Sequence, residues 1–78
     1  MDKEEAERLA RAIERARVDW IQVRGINYNA LLGKYELTCS YKRDKALARW
    51  TELQIRSPRQ WIDLLTRRND NFGGLELP

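Results

Sequence analysis

The chain has 78 residues, with 15 Lys and Arg against 12 Asp and Glu, one cysteine and no histidine. This inventory excludes an intrachain disulfide and the common structural zinc sites. The N-terminus lacks the apolar core of a signal peptide, and no stretch approaches the roughly 20 apolar residues that span a bilayer. We therefore expect a single domain, residues 1–78, in the cytoplasm, with no cofactor and no membrane partner.

The small core that this length allows also bears on self-association. Domains of this size gain little net stability from burial and often add a disulfide, a metal or a partner subunit. Because the first two are not indicated here, a homodimer would supply the missing stability. We expect a symmetric contact, formed either by the first helix or by a sheet edge.

Positive charge and aromatic rings concentrate in the same part of the chain. Residues 20–68 hold ten Lys and Arg against four Asp and Glu, together with six of the seven aromatic residues. Cations neutralise phosphates and ring faces stack on bases, so this composition is typical of nucleic-acid binders. Trp, Tyr and Arg also dominate protein contacts. The expected partner is therefore a nucleic acid or an acidic protein.

Residues 3–17 are predicted to form the first helix. Asp2 is placed to act as its N-cap, and acidic residues fill its first turn. Ala6, Leu9 and Ile13 recur at helical spacing. The apolar stripe is narrow and built from small residues, which favours close packing on the chain's own sheet or on the same helix of a second copy.

From Trp20 the apolar period changes from about 3.6 to about 2. Residues 20–28 and 35–42 are predicted to be two antiparallel strands, with a β-bulge at Gly25 where the alternation loses phase. The connecting loop is unusually apolar at residues 30–32. Its two leucines either fold back onto the core or form an exposed contact site.

Residues 49–56 alternate as a third strand, although the wider segment 45–55 also has apolar spacing that suits a helix. We favour the strand, because a three-stranded sheet is much more stable than a lone hairpin.

A capping box marks the start of the last helix. Ser57 is the predicted N-cap, Pro58 occupies the first helical position and Gln60 occupies the third. These residues predict a helix over 58–68, followed by a loose tail at 72–78.

The predicted order α-β-β-β-α gives an α+β fold, a three-stranded antiparallel sheet with both helices packed on one face. The other face is left open, and strand alternation places Trp20 and Trp50 on it among basic residues. The alternative is that these tryptophans shield the sheet edges or belong to the core. The candidate binding residues are Trp20, Arg24, Lys42, Arg43, Lys45, Arg49, Trp50, Arg56 and Arg59.

The element order resembles that of double-stranded RNA-binding domains. The Lys-rich start of the last helix in that family is replaced here by Pro58-Arg59-Gln60-Trp61, which carries one cation. Gly33-Lys34-Tyr35 followed by Arg49-Trp50 is similar to the sheet of integrase-type DNA readers. Both resemblances concern the fold and assign no family.

No residue pattern marks an active site. General base catalysis without histidine needs a carboxylate or lysine with a strongly shifted pKa, and no paired-carboxylate motif is present. Cys39 is predicted to lie mid-strand on the core face, with no histidine to activate it. We therefore predict a non-enzymatic binding module that contacts nucleic acid through a basic, aromatic sheet face. The alternative is a protein-interaction module or small regulator or inhibitor, for example one encoded by a phage or mobile element, that docks through Trp20, Trp50 and residues 30–32.

Overall fold

The computed structural model describes residues 1–43 and 49–67. Five elements follow in the order α1 (Lys3–Ala16), β1 (Ile21–Asn29), β2 (Lys34–Tyr41), β3 (Thr51–Ile55) and α2 (Pro58–Arg67). The strands form one antiparallel sheet in the order β1-β2-β3. The predicted α+β fold and the third strand are confirmed. Several predictions lie outside the described residues: the strand-or-helix alternative at 45–48, the site residue Lys45, the helix end at Arg68 and the tail 72–78.

Both helices begin at the predicted caps. Asp2 Oδ1 accepts a hydrogen bond from the backbone N–H of Glu5 at 2.7 Å, and Ser57 Oγ accepts one from the backbone N–H of Gln60 at 3.2 Å. Each side-chain oxygen satisfies an N–H that has no partner inside its own helix. The local sequence therefore sets where both helices start.

The C-terminal end of α1 has a backbone conformation that is unfavourable for its residue. Arg17 terminates the helix in the left-handed conformation, with φ 50° and ψ 41°, and its backbone N–H donates to the carbonyl oxygen of Glu14 at 3.3 Å. Glycine adopts this conformation without penalty, whereas any residue with a Cβ atom pays a steric cost there.

The β-bulge predicted at Gly25 is confirmed. The pairing of β1 with β2 shifts between Val23 and Gly25, so Arg24 is the extra residue. Before the shift Val23 lies opposite the buried Cys39, and after it Ile26 lies opposite the buried Leu37. The bulge therefore keeps apolar residues of β1 on the core face despite the change in sequence phase.

One face of the sheet and both helices enclose the core, as predicted. The apolar stripe of α1 is buried against its own sheet, so it is not available to pair with the same stripe of a second copy. Burial raises the pKa of the Cys39 thiol to about 11, which keeps this side chain protonated at neutral pH. None of the helices within residues 1–43 and 49–67 is long and apolar enough to cross a membrane. The buried apolar residues are Ala6, Leu9, Ala10, Ile13, Trp20, Ile21, Leu37, Cys39, Ile55, Trp61 and Leu64.

Trp20 belongs to this core, so its predicted position on the open face was wrong. Its side chain is 3% exposed, and the centroid of its ring lies 5.8 Å from that of Trp61 and 6.1 Å from that of Tyr41. β1 begins at Ile21. Trp20 therefore immediately precedes β1, although its carbonyl oxygen still accepts a hydrogen bond from the backbone N–H of Lys42 at 2.8 Å, and strand alternation does not determine the direction of its side chain. Its large ring packs between the sheet and α2, where it buries far more apolar surface than it could on the open face.

The loop between β1 and β2 does not fold back onto the core. Leu31 is 98% exposed and Leu32 is 53% exposed. Of the two alternatives for residues 30–32, the exposed arrangement is therefore the one adopted.

Candidate functional site

The sheet face opposite the helices is polar and uncovered by the described elements. Strand register and side-chain hydrogen bonds place on it three residue sets, one from each strand. They are Gln22, Arg24, Asn27 and Asn29 from β1, Glu36, Thr38 and Ser40 from β2, and Glu52, Gln54 and Arg56 from the β3 region.

Trp50 marks one end of this face. It is 42% exposed, and it lines a shallow depression together with Arg24, Ser40 and Glu52. The ammonium of Lys42 lies 5.5 Å from the centroid of the Trp50 ring, within the range of a cation–π interaction. Arg24 Nη1 lies 3.5 Å from Ser40 Oγ. This end of the face combines an accessible indole ring with two cations.

The other predicted cations fall in different places. Arg43 and Arg49 are exposed and lie just beyond the end of β2 and just before β3, next to Lys42 and Trp50 in the chain. Arg59 is exposed on the first turn of α2, in the helix layer on the opposite side of the sheet. The structure therefore brings together part of the predicted set, centred on Trp50.

The opposite end of the face holds a cluster that sequence analysis missed. Both carboxylate oxygens of Glu36 are occupied: Oε2 accepts from Asn27 Nδ2 at 2.9 Å, and Oε1 accepts from Asn29 Nδ2 at 3.2 Å and from Arg56 Nε at 3.0 Å. Thr38 Oγ1 donates to Asn27 Oδ1 at 2.5 Å. The signal for this cluster is the pair of asparagines two residues apart, which the hairpin register sets beside Glu36.

The partners of Glu36 control its ionisation. Its side chain is 7% exposed although it lies on the open face, because polar side chains of β1 and β3 cover it. The hydrogen bond from Arg56 and those from the two asparagine amides hold the pKa of the Glu36 carboxyl below its ordinary value. The ion pair with Glu36 neutralises Arg56.

Among the residues that the structure describes, one carboxylate lies beside Arg24 and Lys42. Glu52 lines the same depression as Trp50, and its Oε2 accepts a hydrogen bond from Gln54 Nε2 at 2.6 Å. The face therefore divides into a basic, aromatic end around Trp50 and a hydrogen-bonded, nearly neutral end around Glu36.

Comparison of the chain with protein-family models, with curated proteins and with solved structures finds no match.

Proposed function

We propose that this chain is a small non-enzymatic module that binds single-stranded nucleic acid at the basic, aromatic end of its open sheet face. One observation carries the proposal. The exposed indole ring of Trp50 lies beside Lys42 and Arg24 on a flat polar surface. An exposed ring can stack on any base, and adjacent cations can neutralise the flanking phosphates.

The shape of the surface favours a single strand over a duplex. The open face is a sheet surface that neither described helix covers, because α1 and α2 both pack on the opposite side. A duplex groove is usually read by an inserted helix or ribbon. Bases that are already unstacked can lie on a flat face and stack on an exposed ring.

Each residue of the site has a separate role in this proposal. A base stacks on the Trp50 ring, and the ammonium of Lys42 moves from the ring to a phosphate. Arg24 binds a second phosphate across the depression. Glu52 opposes binding, because its carboxylate lies where the strand would pass. Arg56 takes no part, because its charge is already paired with Glu36.

These roles predict distinct binding signatures. Trp50→Ala should weaken binding by about 1–3 kcal/mol and leave the salt dependence nearly unchanged, because stacking releases no counterions. Arg24→Ala and Lys42→Ala should each lower the log–log salt slope by about 0.7 for the one phosphate that each cation neutralises. Glu52→Gln should strengthen binding, and Arg56→Ala is the matched cation control that should leave the slope unchanged.

The experiment is a fluorescence anisotropy titration of labelled single-stranded DNA, single-stranded RNA, a DNA duplex and an RNA duplex at two or more salt concentrations. We expect the single strands to bind more tightly than either duplex. If no nucleic acid binds more tightly than about 100 μM near physiological salt, the interaction is only weak non-specific attraction, and the proposal is refuted. Equal effects of Arg24→Ala and Arg56→Ala would also contradict the assigned site.

A second candidate function is protein contact through the hairpin loop. The observation that favours it is the 98% exposure of Leu31, because exposed apolar side chains at a loop tip are typical of contact sites. Trp20 no longer supports this candidate, since it is buried. A pull-down from a lysate in which Leu31→Asp abolishes capture, while Trp50→Ala does not, would favour protein contact over nucleic-acid binding.

A further inference from the structure

The two edges of the sheet differ in how far their backbone N–H and C=O groups are covered. Along β3 the side-chain amide of Gln60 takes the place of a neighbouring strand: its Nε2 donates to the carbonyl oxygen of Gln54 at 2.8 Å, and its Oε1 accepts from the backbone N–H of Arg56 at 2.9 Å. β2 extends beyond the end of β3 on this side of the sheet. There the backbone N–H of Tyr35, on β2, donates to the carbonyl oxygen of Met1 at 2.8 Å. These contacts occupy backbone groups that would otherwise face solvent along this side of the sheet.

The outer edge of β1 has no such cover within residues 1–43 and 49–67. The backbone N–H of Tyr35 points toward Met1 and therefore away from β1. Tyr28, opposite Tyr35 on β1, is then in a non-hydrogen-bonded pair, and its own N–H and C=O point away from β2. By the same alternation Ile26 also points outward. No described residue hydrogen-bonds to these outward groups. An exposed edge of this kind is a template for pairing with another strand.

A groove of mixed polarity lies at the start of β1. It runs between the C-terminal part of α1 and the edge of the strand, and it is lined by Ile13, Val18, Ile21 and Val23 together with the polar side chains of Glu14, Arg17 and Gln22. Val18 and Val23 are only partly buried. Ile13 and Ile21 are buried, so Val18 and Val23 supply the accessible apolar surface of the groove directly beside the free edge.

An apolar projection lies at the other end of β1. The side chain of Asn29 shapes the loop, because its Oδ1 accepts from the backbone N–H groups of Leu31 at 3.0 Å and Leu32 at 3.2 Å. The backbone N–H of Gly33 closes the turn by donating to the carbonyl oxygen of Asn29 at 2.8 Å. These bonds hold both leucines in an exposed position without using their side chains.

The groove and the projection are self-complementary. Both lie along β1, at nearly equal sequence distances on either side of Asn27. A two-fold axis through Asn27 would therefore carry the loop of each copy to the groove of the other. We propose that two copies of this chain pair through their β1 edges in antiparallel fashion about that axis, with Leu31 and Leu32 of each copy seated in the groove of the second.

The register follows from the outward backbone groups. With the axis at Asn27, Ile26 of each copy lies opposite Tyr28 of the other. These two pairs form their hydrogen bonds with backbone N–H and C=O groups that are unpaired within the described chain. The side chains of Ile26 and Tyr28, 38% and 55% exposed, then form cross-strand apolar pairs of a type that stabilises antiparallel sheets. The bulge at Arg24 ends the new ladder at Gly25, so a longer register is disfavoured.

The size of the contact indicates a moderate affinity. Each copy contributes the nine residues of β1, the loop and the α1 side of the groove, which is slightly fewer than the roughly 20–30 residues per side of a stable interface. We expect a dimer with a dissociation constant in the micromolar range. Because the new strand pair lies in the plane of the sheet, both open faces point to the same side and form one continuous six-stranded surface.

Disulfide trapping tests the register. Asn27 pairs with itself across the axis at a position without interstrand hydrogen bonds, where the Cα atoms lie about 4.5 Å apart, within the range of a disulfide. Asn27→Cys should therefore cross-link under mild oxidation, while Cys39, which is 1% exposed, stays unreacted. Glu52→Cys, exposed on the opposite edge strand, is the control and should not cross-link. Equal cross-linking of both variants would overturn the proposal.

Sedimentation velocity of unmodified chains tests the contact itself. The double variant Leu31→Asp/Leu32→Asp should raise the dimer dissociation constant about tenfold or more and keep the circular dichroism spectrum, because the loop bonds use backbone groups. Ile62→Asp, at a 57% exposed position on α2, is the matched control and should leave the dimer unchanged. A wild-type chain that remains monomeric up to about 1 mM, far above a micromolar dissociation constant, would refute the proposal. Equal weakening of the dimer in both variants would also refute it.

Discussion

Replacing Glu36 with glutamine tests how far its charge stabilises the sheet. Glutamine keeps the shape of the side chain and one acceptor oxygen for Asn29 and Arg56. Asn27 can then turn its amide over to accept from the new NH₂ group, because the Thr38 hydroxyl that now donates to Asn27 can also accept. Every hydrogen bond can be remade, and only the negative charge is removed.

The magnitude follows from the three hydrogen bonds to Glu36. A bond to a charged group contributes about 1.5–3 kcal/mol against about 0.5–1.5 kcal/mol for a neutral pair, a difference of about 3–4.5 kcal/mol for three bonds in a dry interior. The Arg56 side chain is 55% exposed, so solvent screens much of this difference. We expect Glu36→Gln to lower the free energy of unfolding by about 1 kcal/mol at neutral pH, which corresponds to a Tm lower by about 4–8 °C.

The effect should depend on pH with a definite sign. The pKa of Glu36 in the folded chain lies below its ordinary value of 4.5, mainly because of the hydrogen bond from Arg56. A group with a depressed folded-state pKa adds its full stability above the unfolded-state pKa, and loses it as the pH falls through the folded-state pKa. The wild type should therefore exceed the variant in stability at neutral pH and converge with it in acid.

The assay is urea unfolding, followed by tryptophan fluorescence, at a series of pH values from neutral into acid. Glu52→Gln is the matched control, because Glu52 is an exposed carboxylate on the same face that accepts one hydrogen bond, from Gln54. This control should change stability by less than about 0.5 kcal/mol. A Glu36→Gln effect that stays constant from neutral pH to strong acid would show that the destabilisation arises from packing, and the electrostatic reasoning would be wrong.

Four further substitutions test local and core features by thermal or chemical unfolding. Ser57→Ala should cost about 1 kcal/mol because the N-cap bond to Gln60 is removed, and an unchanged Tm would contradict the cap. Arg17→Gly should stabilise the chain by about 0.5–1 kcal/mol, because relief of left-handed strain exceeds the extra entropy of the unfolded chain; a decrease in stability would contradict that strain. Trp20→Ala should cost about 3–5 kcal/mol as a core deletion, whereas Trp50→Ala should cost less than about 1 kcal/mol. Similar destabilisation by the two tryptophan substitutions would contradict their assigned burial.

Several features of this fold are local enough to be predicted from the sequence. Asp2 and Ser57 cap helices because a side-chain oxygen satisfies an N–H group a few residues away. The phase change at Gly25 requires a bulge if apolar residues are to stay on one face. These features depend on spacing along the chain, which the sequence contains directly. Together with the alternation of residues 51–55, they were sufficient to predict the order α-β-β-β-α.

The site was only partly predictable, because its charges are set by contacts between strands. Alternation placed Arg24, Lys42 and Trp50 on the open face, and the structure brings them together there. It could not show that Arg56 is paired with Glu36, since that pairing depends on the register of β3 against β2 and on the asparagines of β1.

Trp20 and Gln60 show what only the tertiary structure decided. Trp20 immediately precedes β1, and the space between the sheet and α2 determines the direction of its side chain. Gln60 was predicted to complete a capping box by bonding back to Ser57, but its amide bonds instead to Gln54 and Arg56 and covers the β3 edge. The sequence by itself determined the elements, the caps and the bulge, because these depend on residues close in the chain. The buried tryptophan, the neutralised arginine and the cover that Gln60 gives to part of the β3 edge depend on residues that meet only after folding.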